Sequence, residues 1–396
     1  MNLFKHLTVI LLTISIISCG SNNGQKKSDF KIKTNTENNT IFNNEILSLS
    51  IDNPKNHSID SVSYFLNKKQ ITETVHLNDF KLGKHTLEAT IYFNNDQQST
   101  SQKLIILNKD VPKIFTYKII NEYPHDITSY TQGLEFFNDT LYESTGQYKE
   151  SKLRKIDYKT GEVLKNINLA DEYFGEGLTI INNKVYQLTW KQGTGFVYDV
   201  NTFDKLNSFK YGNSKEGWGL CNDSKVIYKS DGTEKIWRLN PETLIEQDFI
   251  EVYTNKGKIR EINEMEWIDG NIYANRYQKD GVAIINPKNG AVIGVVDFSP
   301  LKKLVTQHEG LDVLNGIAYN PKTKTIKHLG IEQGLVHARN PSLTEDSKGR
   351  IWASGSGFGV SIINPKKETI QQLTILGYNL GIMIIMFSYI SHQRMT

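Results

Sequence analysis

The sequence predicts an all-β protein: a five-bladed β-propeller preceded by a small Ig-like β-sandwich and followed by an atypical C-terminal segment. Three observations lead there. Tyr and Gly are plentiful and Pro is scarce, with 19 Tyr, 29 Gly and 9 Pro in 396 residues; long amphipathic helical stretches are hard to find, so short strands and tight turns are the natural reading. A turn motif, in which an apolar strand end runs into Asp or Asn, recurs at Asp157, Asp199, Asn240, Asn286 and Asn320, in steps of 42, 41, 46 and 34 residues. A second motif runs in phase with it at Gln132, Glu176, Trp218, Asn263 and Asn315, in steps of 44, 42, 45 and 52 residues. A four-stranded propeller blade takes about 40–50 residues, and five in-phase copies imply five blades.

Residues 1–19 read as a secretory signal. Lys5 and His6 precede an apolar run at 7–17, and Ser18 stands before Cys19; a charged region, an apolar core and a small residue before the cut are the signature. A Cys at that place resembles a bacterial lipobox. Cys19 is therefore expected to be diacylated and to hold an exported protein on a membrane of the bacterial envelope, in the periplasm or at the cell surface. An ordinary signal peptide or an uncleaved anchor is the plainer alternative. Residues 20–43 are polar and rich in Asn and Lys, as a flexible tether would be. Within 44–110, runs at 46–49, 62–66, 86–93 and 103–107 alternate apolar and polar residues, the pattern of half-buried strands. A stretch this short suggests a small Ig-like sandwich, a spacer or docking module without a catalytic grouping. The propeller is expected over 113–326, and 327–396 form the divergent C-terminal segment.

Charge and cysteine usage exclude several classes. The net charge is only +3, from 46 Lys and Arg against 43 Asp and Glu. The two signs are interspersed, so no basic stripe argues for nucleic acid. Of the two cysteines, Cys19 falls in the signal and Cys221 is left alone. A disulfide framework and a Cys-based metal site are thereby excluded, and Cys221 reads as a small buried apolar residue.

The same repeat position in each blade lies at one height about the propeller axis. Gln132, Glu176, Trp218, Asn263 and Asn315 are therefore candidates for a ring at the mouth of the central channel. Their neighbours are mostly Gly, which lets backbones approach closely. A ring of unlike polar groups around one acid reads as a binding site; a set of satisfied polar residues at strand starts is the plainer alternative. Glu176 is the one carboxyl of the five. Between two glycines, and with Tyr173, Phe174 and Trp218 expected nearby, it should be desolvated, which raises a carboxyl pKa and suits it to proton transfer near neutral pH. No Gly-x-Ser-x-Gly elbow occurs. The nine His form no His-x-x-x-His clamp. The residues thus point to acid/base chemistry without metal or cofactor.

At these residues the sequence resembles the glutaminyl-peptide cyclotransferases of the plant and bacterial type, a five-bladed propeller family. The resemblance is carried by Tyr-Thr-Gln-Gly-Leu at 130–134, Tyr-Phe-Gly-Glu-Gly-Leu-Thr at 173–179, Gly-Trp-Gly-Leu at 217–220, Ile-Asn-Glu-Met-Glu at 262–266 and Asp-Val-Leu-Asn-Gly-Ile-Ala at 312–318. It runs unbroken through the central region. It implies that N-terminal Gln of a peptide or protein is cyclised to pyroglutamate with release of ammonia, with no metal. It further implies that Glu176 is the acid/base and that Gln132 and Asn263 hold the amide and the amine. Trp190, Trp218 and Tyr277 would wall the pocket, and Tyr130 would join the substrate-binding set. Tyr277 stands where the family is expected to carry Trp. A monomer is expected.

The resemblance stops after residue 326. The family should continue with a Val-Thr-Gly-Lys-like stretch, whose Lys lines the site, and then a Trp-Pro segment; here the chain reads Lys327-His328-Leu329-Gly330-Ile331. Residues 340–355 instead resemble a repeat from the sensor propellers of two-component regulators. The tail at 373–390 is apolar and uncharged, and reads as an atypical terminus in preference to a membrane span. These departures keep a second function open: a catalytically impaired propeller lipoprotein that binds peptides or glycans.

Overall fold

The computed structural model describes residues 28–321 in full and, beyond them, the backbone of five strands: Ser342–Glu345, Ile351–Gly355, Gly359–Asn364, Thr369–Gln372 and Ile385–Ser391. The predicted signal and lipidation site, Cys19, lie outside the described residues, as does 327–331. Apart from one 3-10 turn at Ser299–Lys303, every described regular element is a strand. No helix of the described residues is long and apolar enough to cross a membrane. The chain forms two compact units, one of residues up to 35, 48–74 and 86–102, the other of 36–47, 75–85 and 103 onward.

In the first unit the predicted alternation is visible residue by residue. Leu87, Ala89, Ile91 and Phe93 of strand Gly83–Phe93 are buried and the residues between them are not, because successive side chains of a strand point to opposite faces. This strand pairs antiparallel with Ile59–Leu66. The tether expected at 20–43 is corrected over 28–43, the part that lies within the described residues. Lys31–Thr34 is a strand antiparallel to Ile46–Asp52, and Phe30 is buried edge-on against Phe93 at 4.8 Å. In the second unit Thr40–Phe42 runs parallel to the end of strand Asp96–Leu107. The Asn-rich composition that reads as disorder supplies turns instead. Asn38 and Asn39 both take positive φ (49° and 58°), which Asn tolerates better than most residues.

The second unit is a succession of four antiparallel sheets of four consecutive strands each. They begin at Thr131–Phe137, Gly175–Ile181, Leu220–Asn222 and Ile262–Ile268, and the strand Lys113–Phe115 adds in parallel to the outer edge of the fourth. A further strand, Leu311–Tyr319, comes next. These five inner strands lie side by side in chain order, and Leu311–Tyr319 also flanks Thr131–Phe137, so the series closes on itself in a propeller-like arrangement. The partner of Leu311–Tyr319 is Ile385–Ser391, from the apolar tail, while the four strands of 342–372 make a sheet of their own.

The repeated Asx residue does what its chemistry allows. Asp157 Oδ1 accepts from Lys159 N (2.9 Å), Asp199 Oδ1 from Asn201 N and Thr202 N (both 2.8 Å), Asn240 Oδ1 from Glu242 N and Thr243 N (both 2.9 Å), and Asn286 Oδ1 from Lys288 N (3.0 Å). Each turn ends on a residue with positive φ: Gly161, Phe203, Leu244 and Gly290. Apolar side chains fill the space between neighbouring sheets. Tyr142 and Leu153 of the first sheet pack with Leu178, Val185 and Phe196 of the second, each such burial contributing roughly 1.5–3 kcal/mol. Cys221 is buried in a cluster with Ile250, Met265 and Ile272.

Candidate active site

A bulge frees the ring residues from their ladders. The first strand slips register between Thr131 and Gly133, the second between Gly175 and Leu178, and the fourth between Ile262 and Met265. Gln132, Glu176 and Asn263 fall inside these slips. A bulge leaves its extra residue unpaired and re-aims its side chain. The glycines that follow serve packing. A Cβ on Gly133 would come within 2.5 Å of Leu178 N, and one on Gly177 within 2.6 Å of Gly219 Cα, so each inner strand presses its backbone against the next. In the fourth strand Glu264 takes the equivalent place, and its carboxylate accepts from Leu134 N (3.3 Å) and Ile317 N (2.8 Å). Four of the ring residues are bound to their surroundings. Asn315 Nδ2 donates to Gln132 Oε1 at 2.7 Å. The Glu176 and Asn263 carbonyls accept from Ser144 Oγ and Ser230 Oγ.

Glu176 is 5 % exposed, and its carboxyl accepts no hydrogen bond from the described residues. Burial drives it well above the usual carboxylate range, and the negative charge of Glu216 adds to the rise. Aromatic rings from the neighbouring strand ends and turns pack against one another. Tyr130 and Phe174 meet edge-on at 6.0 Å, Phe174 and Trp190 at 5.5 Å, and Trp218 and Tyr277 at 5.7 Å. Tyr130, Phe174 and Val313 form a buried cluster against which Tyr148, Trp190 and Tyr277 pack. Burial also raises the Tyr130 hydroxyl, reinforced by Asp312 and more weakly by Tyr277 and Glu176; that hydroxyl lies 3.4 Å from Asp312 Oδ2. Glycines shape the walls. A Cβ on Gly146 would come within 3.0 Å of Gln132 Cγ, and one on Gly232 within 2.5 Å of the Trp218 indole.

A second buried carboxylate buttresses the strand that carries Gln132. Glu143 is fully buried. It accepts from Thr131 Oγ1 (2.7 Å) and Ser129 Oγ (3.4 Å) and pairs with His125 Nε2 (3.0 Å). Arg154 Nη1 lies 3.7 Å from Glu143 and donates to Ser129 Oγ and Asp126 Oδ2. Burial alone would raise Glu143, but His125, Thr131 and Arg154 outweigh it and hold the carboxyl low. The imidazole of His125 is raised in return, Glu143 overcoming the cost of its burial.

The structure brings together Tyr130, Gln132, Glu176, Trp190, Trp218, Asn263 and Tyr277 on the inner strands and the turns beside them. Tyr173, expected near Glu176, instead packs edge-on against Phe196 at 4.9 Å within the second sheet. Sequence reasoning missed Glu216, Asp312 and Tyr148. Glu216 lies in the loop before Gly217-Trp218, out of phase with either repeat.

Fold and site together define a propeller-like protein with an unpartnered buried carboxyl on its second inner strand and a cluster of aromatic rings beside the inner strands. The sequence profile of the glutamine cyclotransferase family matches residues 87–330. The chain belongs to that family. It is 39% identical over 231 residues to a glutaminyl-peptide cyclotransferase of Arabidopsis thaliana, covering 58% of this chain and 71% of that one. Its fold is similar to the crystal structure of Myxococcus xanthus glutaminyl cyclase, with a TM-score of 0.50, 25% identity, and coverage of 71% of this chain and 100% of that one.

Proposed function

We propose that this chain is a glutaminyl-peptide cyclotransferase acting as an intramolecular acyltransferase, with Glu176 as its general acid/base. The observation that carries the reading is the unpartnered, desolvated carboxyl at the bulge of the second inner strand. The α-amine of an N-terminal Gln attacks its own side-chain carboxamide carbon. Glu176 takes a proton from the attacking nitrogen and returns one to the departing nitrogen. The new C–N bond closes the ring, the old one breaks, and ammonia leaves. No metal enters this scheme. Gln132 and Asn263 offer amide groups to the carboxamide and the amine, Tyr130 lines the entrance, and Trp190, Trp218 and Tyr277 exclude water, whose attack would give glutamate instead. The test is direct. A Gln-starting peptide incubated with the chain should lose the mass of ammonia and release ammonia in equal amount; conversion to the glutamate peptide, or none, overturns the reading.

The closed series of five inner strands supports a five-bladed propeller at 113–326, and the strand pairing of the N-terminal segment supports an Ig-like sandwich. Export, lipid anchoring at Cys19 and a monomeric state belong to the same proposal. A second reading, binding of peptides or glycans without turnover, is favoured by one observation: the fifth inner strand takes its partner from the apolar tail, not from the residues that follow it. Tight binding of a Gln-starting peptide without ammonia release would favour it.

A further inference from the structure

Glu216 belongs to neither repeat, yet both indoles of the cleft are bonded to it. Trp190 Nε1 and Trp218 Nε1 each donate to Glu216 Oε2 at 2.9 Å. One indole follows the second strand of the second sheet and the other precedes the inner strand of the third, so a single carboxylate oxygen fixes two walls from different sheets. The loop that carries it is anchored in turn. Lys229 is fully buried, donates to the Glu216 carbonyl and to Ser214 Oγ, both at 2.6 Å, and lies 4.1 Å over the Tyr211 ring. Burial brings this lysine down to about 8. The second oxygen of Glu216 accepts no bond from the described residues.

We propose that Glu216 is a positioning residue for the cyclisation: its carboxylate locks Trp190 and Trp218 into the walls that grip the glutaminyl side chain. The proposal rests on the acid/base reading of Glu176. The groups around that carboxyl are Glu216 and the hydroxyls of Tyr130 and Tyr211, which feel its charge. Asp312 stands behind Tyr130, Lys229 behind Glu216, and Lys191 lies over the outside of Trp190 at 3.8 Å. Negative charge on Glu216 adds to the rise in Glu176, because a like charge near a desolvated carboxyl favours its neutral form.

The wall-locking and the charge separate in kinetics. Glu216→Gln keeps an acceptor oxygen and loses the charge; Glu216→Ala loses both; Trp218→Phe keeps the charge and removes one donor. In Glu216→Gln the limb of the kcat/KM pH profile that belongs to Glu176 should move to lower pH by about half a unit or more, with KM within about threefold. Glu216→Ala should add a KM rise of about tenfold, the loss expected for a hydrogen bond to a charged group. Trp218→Phe should raise KM and leave the limb in place. An unchanged KM in Glu216→Ala overturns the proposal. Full activity in Glu176→Gln would instead remove the acid/base reading. If the wild type binds without turnover, quenching of indole fluorescence by a Gln-starting peptide still reports the weakening expected in Glu216→Ala, and equal binding overturns the wall-locking role.

Discussion

Two buried carboxyls of the second unit, Glu176 and Glu143, differ in what surrounds them. Glu143 sits inside a shell of His125, Arg154, Ser129 and Thr131 and is held low. Glu176 has no donor among the described residues, and it is pushed high. Equal burial thus gives opposite protonation, because the desolvation penalty on a charge is offset only where donors and cations repay it. One carboxyl is a fixed anion that ties the Gln132 strand to its neighbours. The other has no such shell, and its neutral form is favoured.

The strongest way to break this comparison is to remove the tied carboxylate. Glu143→Ala leaves His125 and Arg154 without their shared anion and should cost about 3–5 kcal/mol of stability, read as a lower denaturant midpoint. A loss below about 1 kcal/mol would mean that the network is not tied as described. Next comes the close packing that aims Glu176. Gly177→Ala places a methyl within 2.6 Å of Gly219 Cα and 2.7 Å of Leu220 N, both backbone atoms that yield little. It should cost about 1–3 kcal/mol and lower turnover as well, checked by thermal melts and activity together.

The smallest effect concerns pH and carries the sharpest sign. Glu176 has a raised folded pKa, so its contribution is complete below the unfolded carboxyl value and is lost as pH rises through the folded value. Glu143 has a lowered one, so its contribution is present above the unfolded value and is lost as pH falls through the folded value. Glu176→Gln should therefore match the wild type near pH 4 and exceed its stability at about pH 8 by about 1.4 kcal/mol or more, the value of one pKa unit. A wild type that stays more stable than the variant on the alkaline side contradicts the assignment.

Much of this was legible in the sequence because it is local. The Asx turns need only a side chain and the amides two or three residues on, so Asp157, Asp199, Asn240 and Asn286 announce them. The ring residues follow from repeat phase, and phase survives in sequence because each sheet is one unit of chain. Four matters were hidden for physical reasons. Asn38 and Asn39 raise the polarity of a segment that is a turn between strands, so composition suggested a tether. Tyr173 and Phe174 are adjacent in the loop before Gly175–Ile181, and only the folded loop sends one ring to Phe196 and the other to Tyr130 and Trp190. Glu216 acts through Trp190 and Trp218, 26 and 2 residues away, a pairing that exists only once two sheets stand side by side. The Glu143 shell likewise gathers residues from 125 to 154 that share no spacing rule.

The central claim is that Glu176 moves the proton. Its most direct test is the turnover of a fluorogenic glutaminyl substrate by the wild type and by Glu176→Gln at equal folded fraction. A general acid/base is worth about 10²–10⁴-fold, so the variant should fall by at least about a hundredfold while its melting temperature at acidic pH is unchanged. Equal turnover in the two proteins would contradict the account.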